Sequence, residues 1–281
     1  MTFAIGLILL ILVAILLLYV FLILPRVSAG ADMEPLLGSY AHRGLWGKEI
    51  PENSLSAFAA AARAGYGIEL DLQMSRDGQI MVFHDDDLRR MCGVNRRISD
   101  LTCAQLKTLR LKHTQETIPT LIEVLQLIRG RVPLMLEFKG ELPNQALCKR
   151  VCRLMDLYHG AFCVVSFSPL ILRWFKHYRP SYARGQLVTK AKRSSRRGSR
   201  TVGFLLTHFL LNPLSRPDFV SVNVALRRRL SVRLLSQAFR TPCFLWTVRT
   251  EEEYRDCRSR GFFPIFESVQ PKSIQKKRRK P

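Results

Sequence analysis

Acidic residues are scarce in this sequence, and its first 25 residues contain no charged side chain at all. Against 22 Asp and Glu stand 44 Lys and Arg, a formal net charge of +22 over 281 residues. The seven cysteines stand at no metal-ligand spacing. Cys148 and Cys152 are i and i+4 and can share a helix face, but no second pair follows them, which argues against a zinc module. An odd count in a chain this long also argues against a disulfide framework and points to a reducing compartment. No G-x-G-x-x-G or Walker-type loop opens a helical stretch, so a dinucleotide or P-loop nucleotide has no support. Hydrophobic residues make up 47% of the chain, enough for a sizeable core, which excludes an intrinsically disordered chain.

What the chain does have, at its start, is a long apolar run from Phe3 to Leu24. About 20 such residues cross the hydrocarbon core of a bilayer, whereas the apolar core of a signal peptide is usually about 7–15. The first basic residue is Arg26, so the basic leader of a signal peptide is missing, although Val27-Ser28-Ala29 resembles a signal-peptidase site and keeps cleavage as the alternative. The run reads as an uncleaved transmembrane helix over 1–25, followed by a linker, 26–37. Arg26, Arg43 and Lys48 outnumber the basic residues before the helix, which tilts the rest of the chain toward the cytoplasm. The unpaired cysteines point the same way.

Beyond the linker, short apolar runs alternate with helical stretches. Strands are expected at 39–42, 67–72, 80–84, 133–138, 162–167, 184–188, 219–224, 243–248 and 262–266. Helices are expected at Ser54–Ala64, Pro119–Ile128, Asn144–Leu157, Pro169–His177 and Glu251–Ser259, with Pro51, Pro119 and Pro169 placed where a first turn tolerates proline. The Ser75-Arg76-Asp77-Gly78 link is too short for a crossover, so the second and third runs form a hairpin and eight strands remain. Eight βα units in about 230 residues predict a closed α/β barrel of the TIM (β/α)8 type rather than an open doubly wound sheet.

Charged residues interrupt these strands where a core would not tolerate them. The first strand ends in His42-Arg43-Gly44, the second carries Glu69 and Asp71, the hairpin arm ends in His84-Asp85, and the next strand carries Glu137 and Lys139. Glu69 and Asp71 are i, i+2 and face one side, as do Glu137 and Lys139. At the carboxyl ends of parallel barrel strands these groups converge, and three carboxylates there repel one another unless a hard cation such as Ca²⁺ or Mg²⁺ lies between them.

Taken together, the motifs resemble the glycerophosphodiester phosphodiesterases, relatives of the phosphatidylinositol-specific phospholipase C barrels. The resemblance rests on His42-Arg43-Gly44, Pro51-Glu52-Asn53-Ser54, Ile68-Glu69-Leu70-Asp71, Ser75-Arg76-Asp77-Gly78, Val82-Phe83-His84-Asp85, Leu136-Glu137-Phe138-Lys139, Val165-Ser166-Phe167 and Trp246-Thr247-Val248. It implies a TIM barrel over 38–271 with a small insertion at 86–114. It further implies that Glu69, Asp71 and Glu137 bind a divalent cation, Ca²⁺ or Mg²⁺, and that His42 and His84 are the general acid and base. Arg43 and Lys139 would hold phosphate oxygens, Glu52 would lie near metal and substrate, and Trp246 would line the pocket. Asn53 reads instead as a helix N-cap feature. Two places depart from the pattern: Arg249 stands where an Asn follows Trp-Thr-Val, and Phe266-Glu267-Ser268-Val269-Gln270-Pro271 stands where a final strand ends in Thr-Asp before a proline. Those changes bear on the leaving-group side of the pocket.

Three basic clusters remain: the loop 189–201 with its run Lys190–Arg200, then Arg227-Arg228-Arg229, then the tail 272–281. On an anchored protein they suit anionic lipid headgroups. They lack the aromatic interleaving of a nucleic-acid surface, so no nucleic-acid partner is expected. The reading is a membrane-anchored hydrolase that releases glycerol 3-phosphate from glycerophosphodiesters. The alternatives are lysophospholipase D hydrolysis of membrane lysophospholipids and a catalytically inactive lipid-binding barrel. Oligomeric state is not legible.

Overall fold

In the computed structural model, residues 2–27, 30–190 and 197–269 are described. The helix α1, Thr2–Ile23, precedes a barrel built from β1 (Tyr40–His42), β2 (Gly67–Met74), β3 (Ile80–Val82), β4 (Leu134–Phe138), β5 (Phe162–Ser166), β6 (Ala183–Val188), β7 (Phe219–Asn223), β8 (Cys243–Val248) and β9 (Phe263–Phe266). Parallel pairing runs β1-β2-β4-β5-β6-β7-β8-β9 and closes from β9 back to β1, while β3 pairs antiparallel with the end of β2. This is the closed eight-stranded barrel expected from the sequence, with the hairpin arm outside the ring.

The helices α2 (Leu55–Ala64), α3 (Arg89–Cys92), α4 (Cys103–Lys107), α5 (Leu121–Ile128), α6 (Gln145–Met155), α7 (Pro169–Tyr178), α8 (Arg197–Thr207), α9 (Asn212–Ser215), α10 (Leu230–Arg233) and α11 (Glu251–Ser259) lie between the strands in chain order. Their starts follow capping chemistry. The hydroxyls of Ser54, Thr102, Thr120, Ser168 and Thr250 accept first-turn backbone N–H groups. Two expectations need correction here. Pro169 is the first residue of α7, but Pro51 and Pro119 precede the capping residues of α2 and α5 rather than opening their first turns. The basic run expected as a loop turns helical at Arg197; residues 191–196 and the tail from 270 lie outside the described residues.

One apolar layer, including Phe58, Leu70, Leu136, Phe175 and Leu245, packs between strands and helices. A second, with Tyr40, Met135, Phe219 and Phe244, fills the barrel interior. Residues 86–114 carry α3 and α4 around Met91, Ile98, Leu106 and Leu111, which pack on Met81 and Phe83 of the hairpin arm.

The helix α1 is apolar enough to cross a membrane, with mean hydropathy 3.3 over Phe3–Ile23. Its carboxyl end is fastened to the barrel. The last carbonyls of a helix have no partner within it, and here Asn212 Nδ2 donates to the Ile23 carbonyl, while Arg216 Nη1 donates to those of Phe21 and Leu24. The Arg216 guanidinium also lies 4.7 Å over the Phe21 ring. Beyond α1, the Arg26 N–H donates to the Pro217 carbonyl, just before β7. The foot of α1 therefore meets the barrel at the amino-terminal ends of its strands, opposite the mouth.

Candidate active site

Strand register brings the charged residues of three sequence segments together. His42 pairs with Glu69 across β1 and β2, and Asp71 pairs with Glu137 across β2 and β4. Neighbouring positions in parallel register face the same way, so the i, i+2 pair Glu69 and Asp71 meets Glu137 inside the mouth. One oxygen from each carboxylate lies within 4.8 Å of the others, and all three residues are buried.

The Gly44 turn closes the other side. Gly44 has φ +83°, and a Cβ there would stand 2.8 Å from that of Ala57, so the tight turn after β1 requires glycine. Next to it Arg43 (φ 60°) and Asn53 (φ 53°) also occupy the left-handed region. Such non-glycine conformations persist where surroundings hold them. Here the Arg43 N–H donates to Glu69 Oε2 at 3.0 Å, and the Asn53 N–H donates to the Arg43 carbonyl. Asn53 is not the cap of α2, which is Ser54; its Nδ2 instead donates to Asp71 Oδ2 at 2.9 Å.

The cations sit among the acids. Lys139 Nζ is 2.9 Å from Asp71 Oδ1 and 3.0 Å from Glu137 Oε1. Arg43 Nη1 donates to Glu52 Oε1 at 2.7 Å, and its Nε lies 3.5 Å from Asp71. Burial opposes ionisation of Asp71, yet the charges of Lys139 and Arg43 outweigh it and hold that carboxyl well below the usual range. Glu69 goes the other way: burial, then the negative charges of Asp71 and Glu137, raise it. Three convergent buried carboxylates, one of them reluctant to ionise, suit a hard divalent cation.

Each histidine is oriented by a carboxylate. His42 Nδ1 is 2.9 Å from Glu267 Oε2, and its Nε2 is 3.9 Å from Glu69. His84 Nδ1 is 2.6 Å from Asp85 Oδ1. Burial disfavours the His42 imidazolium, but Glu69 and Glu267 prevail and raise its pKa. Arg90, from α3, then ties the two sides together: it bonds Asp85 through Nε at 2.6 Å and Glu52 through Nη2 at 2.6 Å. Both histidines, all four cation-neighbouring acids but Asp71, and Arg43, Lys139 and Trp246 line one cavity of about 380 Å³. Trp246 meets Phe167 edge-on at 5.6 Å and forms its apolar wall.

All nine residues singled out from the sequence thus meet at the mouth. Four that were not singled out join them: Asp85, Arg90, Trp46 and Glu267. Asp85 was visible beside His84. Nothing in the sequence distinguishes Arg90 from its neighbour Arg89. Glu267 and Arg249, which fall within the two departures from the family pattern, are partners, with Arg249 Nε 2.5 Å from Glu267 Oε1.

Residues 42–267 match the model of the glycerophosphoryl diester phosphodiesterase family. Among curated proteins, a glycerophosphodiester phosphodiesterase of Bacillus altitudinis is 38% identical over 112 residues, covering 37% of this chain and 44% of that protein. The human lysophospholipase D GDPD1 is 31% identical over 132 residues, covering 42% of this chain and 41% of its own length. These matches span less than two thirds of those relatives. Among solved structures, an Oleispira antarctica phosphodiesterase in complex with the product sn-glycerol-3-phosphate superposes with a TM-score of 0.70 at 25% identity, over 86% of this chain and 96% of that one.

Proposed function

Because the chain belongs to the glycerophosphoryl diester phosphodiesterase family, we propose that it hydrolyses glycerophosphodiesters, such as deacylated phospholipids, to glycerol 3-phosphate and an alcohol in lipid metabolism. The observation that carries this reading is the pairing of two carboxylate-oriented histidines with three convergent buried carboxylates at one barrel mouth. With Nδ1 of each imidazole held by Glu267 or Asp85, each Nε2 is left for the substrate. One takes the proton from the attacking hydroxyl and the other delivers a proton to the departing alkoxide. Glu69, Asp71 and Glu137 would hold Ca²⁺ or Mg²⁺, which when bound neutralises charge growing on the phosphoryl oxygens. Arg43, through its planar fork, and Lys139, as a point charge, hold the phosphate, with Glu52 fixing the Arg43 fork. Trp246 packs against the substrate's carbon skeleton.

The apolar helix α1 favours a second reading, hydrolysis of membrane-resident lysophospholipids by the same groups. On either reading α1 is a transmembrane anchor (residues 1–25, linker 26–37), the barrel spans 38–271 with its insertion at 86–114, and the catalytic side is cytoplasmic. Incubating the full chain, in detergent micelles, with glycerophosphocholine and separately with lysophosphatidylcholine tests both. Release of choline that His42→Ala and His84→Ala each reduce by at least about 10²-fold is the expected result. Retention of full activity by either variant contradicts the assignment, and the ratio of the two substrates decides between the readings.

A further inference from the structure

A larger groove, of about 580 Å³, runs outside the barrel along α7. Leu170, Arg173, Trp174 and His177 recur at i, i+3, i+4 and i+7, and so form one face of that helix. From Leu170 to Tyr178 the helix covers about 12 Å, and it descends from the mouth to the opposite end because it joins the carboxyl end of β5 to the amino end of β6. The upper end of the groove, at Leu142 and Leu170, begins three residues from Phe167, which with Trp246 forms the apolar wall of the catalytic cavity. Its lower end is Leu214 of α9, the same short helix whose Asn212 holds the foot of α1, with Arg216 immediately after it.

The groove is apolar and its charged rim is of one sign. Leu142, Leu170 and Tyr178 are 69%, 36% and 52% exposed. Among the described residues lining it, Arg173 and Lys176 are the charged ones and none is acidic. Partial burial and the charges of Arg216, Arg184 and Arg173 draw the Lys176 ammonium below its ordinary value. Tyr178, exposed beside the buried Trp174 on the same face, is a side chain that favours the boundary between headgroups and acyl chains.

We infer that this face of α7 docks against an anionic lipid bilayer, continuing the contact that α1 begins. The barrel then lies on its side beside α1, with its mouth at headgroup level. The inference rests on reading α1 as a membrane anchor. Continuity with α1, a rim of cations and an exposed apolar floor together select a lipid surface over a soluble protein partner.

The test places a photoreactive benzophenone amino acid at Leu170, at Lys176, and at Arg63 of α2 on the far side of the barrel, in the full chain. Each protein is reconstituted into vesicles of phosphatidylcholine and phosphatidylglycerol in equal parts, floated, irradiated and analysed for lipid adducts. Adducts at 170 and 176 but not at 63 are expected. Arg173→Glu combined with Lys176→Glu is expected to lower the adduct yield at 170 about tenfold in these vesicles, and to change it little in pure phosphatidylcholine. Chain that floats with the vesicles but labels equally at all three sites, or at none, overturns the docking face while the anchor reading stands. Chain that does not float overturns both. None of these readouts depends on hydrolysis, so they are separate from the fate of the proposed activity.

Discussion

His42 owes its orientation to Glu267, and that pairing leaves a measurable trace in acid. Burial opposes ionisation of Glu267, but the hydrogen bond and charge of His42, with Arg249 beside it, bring its carboxyl down to about 2 from an ordinary value of 4.5. A folded pKa below the unfolded one contributes stability that is complete above about pH 4.5 and is lost as the pH falls toward 2. Denaturant unfolding in micelles is therefore expected to find Glu267→Gln less stable by about 1–3 kcal/mol at neutral pH, with the gap closing in acid. A gap that stays constant down to pH 2 contradicts the pairing. The same substitution is expected to cut kcat by about 10²-fold, because the imidazole loses the group that fixes its tautomer. Gly44 makes a second residue-scale case. Gly44→Ala imposes both an unfavourable φ and a clash with Ala57, and is expected to destabilise by about 2–3 kcal/mol in the same assay.

Arg90 belongs to α3, outside the ring of strands, yet it bridges Asp85 beside one histidine and Glu52 beside Arg43. With four hydrogen bonds to two acids, it makes the insertion part of the catalytic geometry. Arg90→Ala is expected to lower kcat about 10- to 100-fold with little change in Tm, since Met91, Ile98, Leu106 and Leu111 keep the insertion packed. A large drop in Tm with kcat intact contradicts a positioning role. The barrel strands were legible because buried parallel strands read as unbroken apolar runs, and acids within them stood out. Caps and ties were less legible. Asn53 looked like a cap because it precedes a helix, but the next residue, Ser54, takes that place and frees Asn53 for Asp71. Arg90 and Glu267 act through contacts 38 and 225 residues away in sequence, which no local pattern encodes.

At the scale of the whole molecule, a catalytic mouth and a membrane-length helix occupy opposite ends of one barrel, and α7 runs between them. Three buried acids at the mouth repel one another, and a divalent cation held there links binding to folding. Calcium or magnesium at about one hundred times its Kd is expected to raise stability by about 2.7 kcal/mol, seen as an upward shift in Tm that Glu69→Gln removes.

Cation dependence of turnover tests the central claim most directly. The full chain in micelles is to be stripped with EDTA, assayed for glycerol 3-phosphate release from glycerophosphocholine and choline release from lysophosphatidylcholine, and then titrated with Ca²⁺ and Mg²⁺. The account predicts loss of release on stripping, recovery with one of the two cations, and no recovery in Glu69→Gln or Glu137→Gln. Undiminished turnover after stripping, or full recovery in those variants, would contradict it.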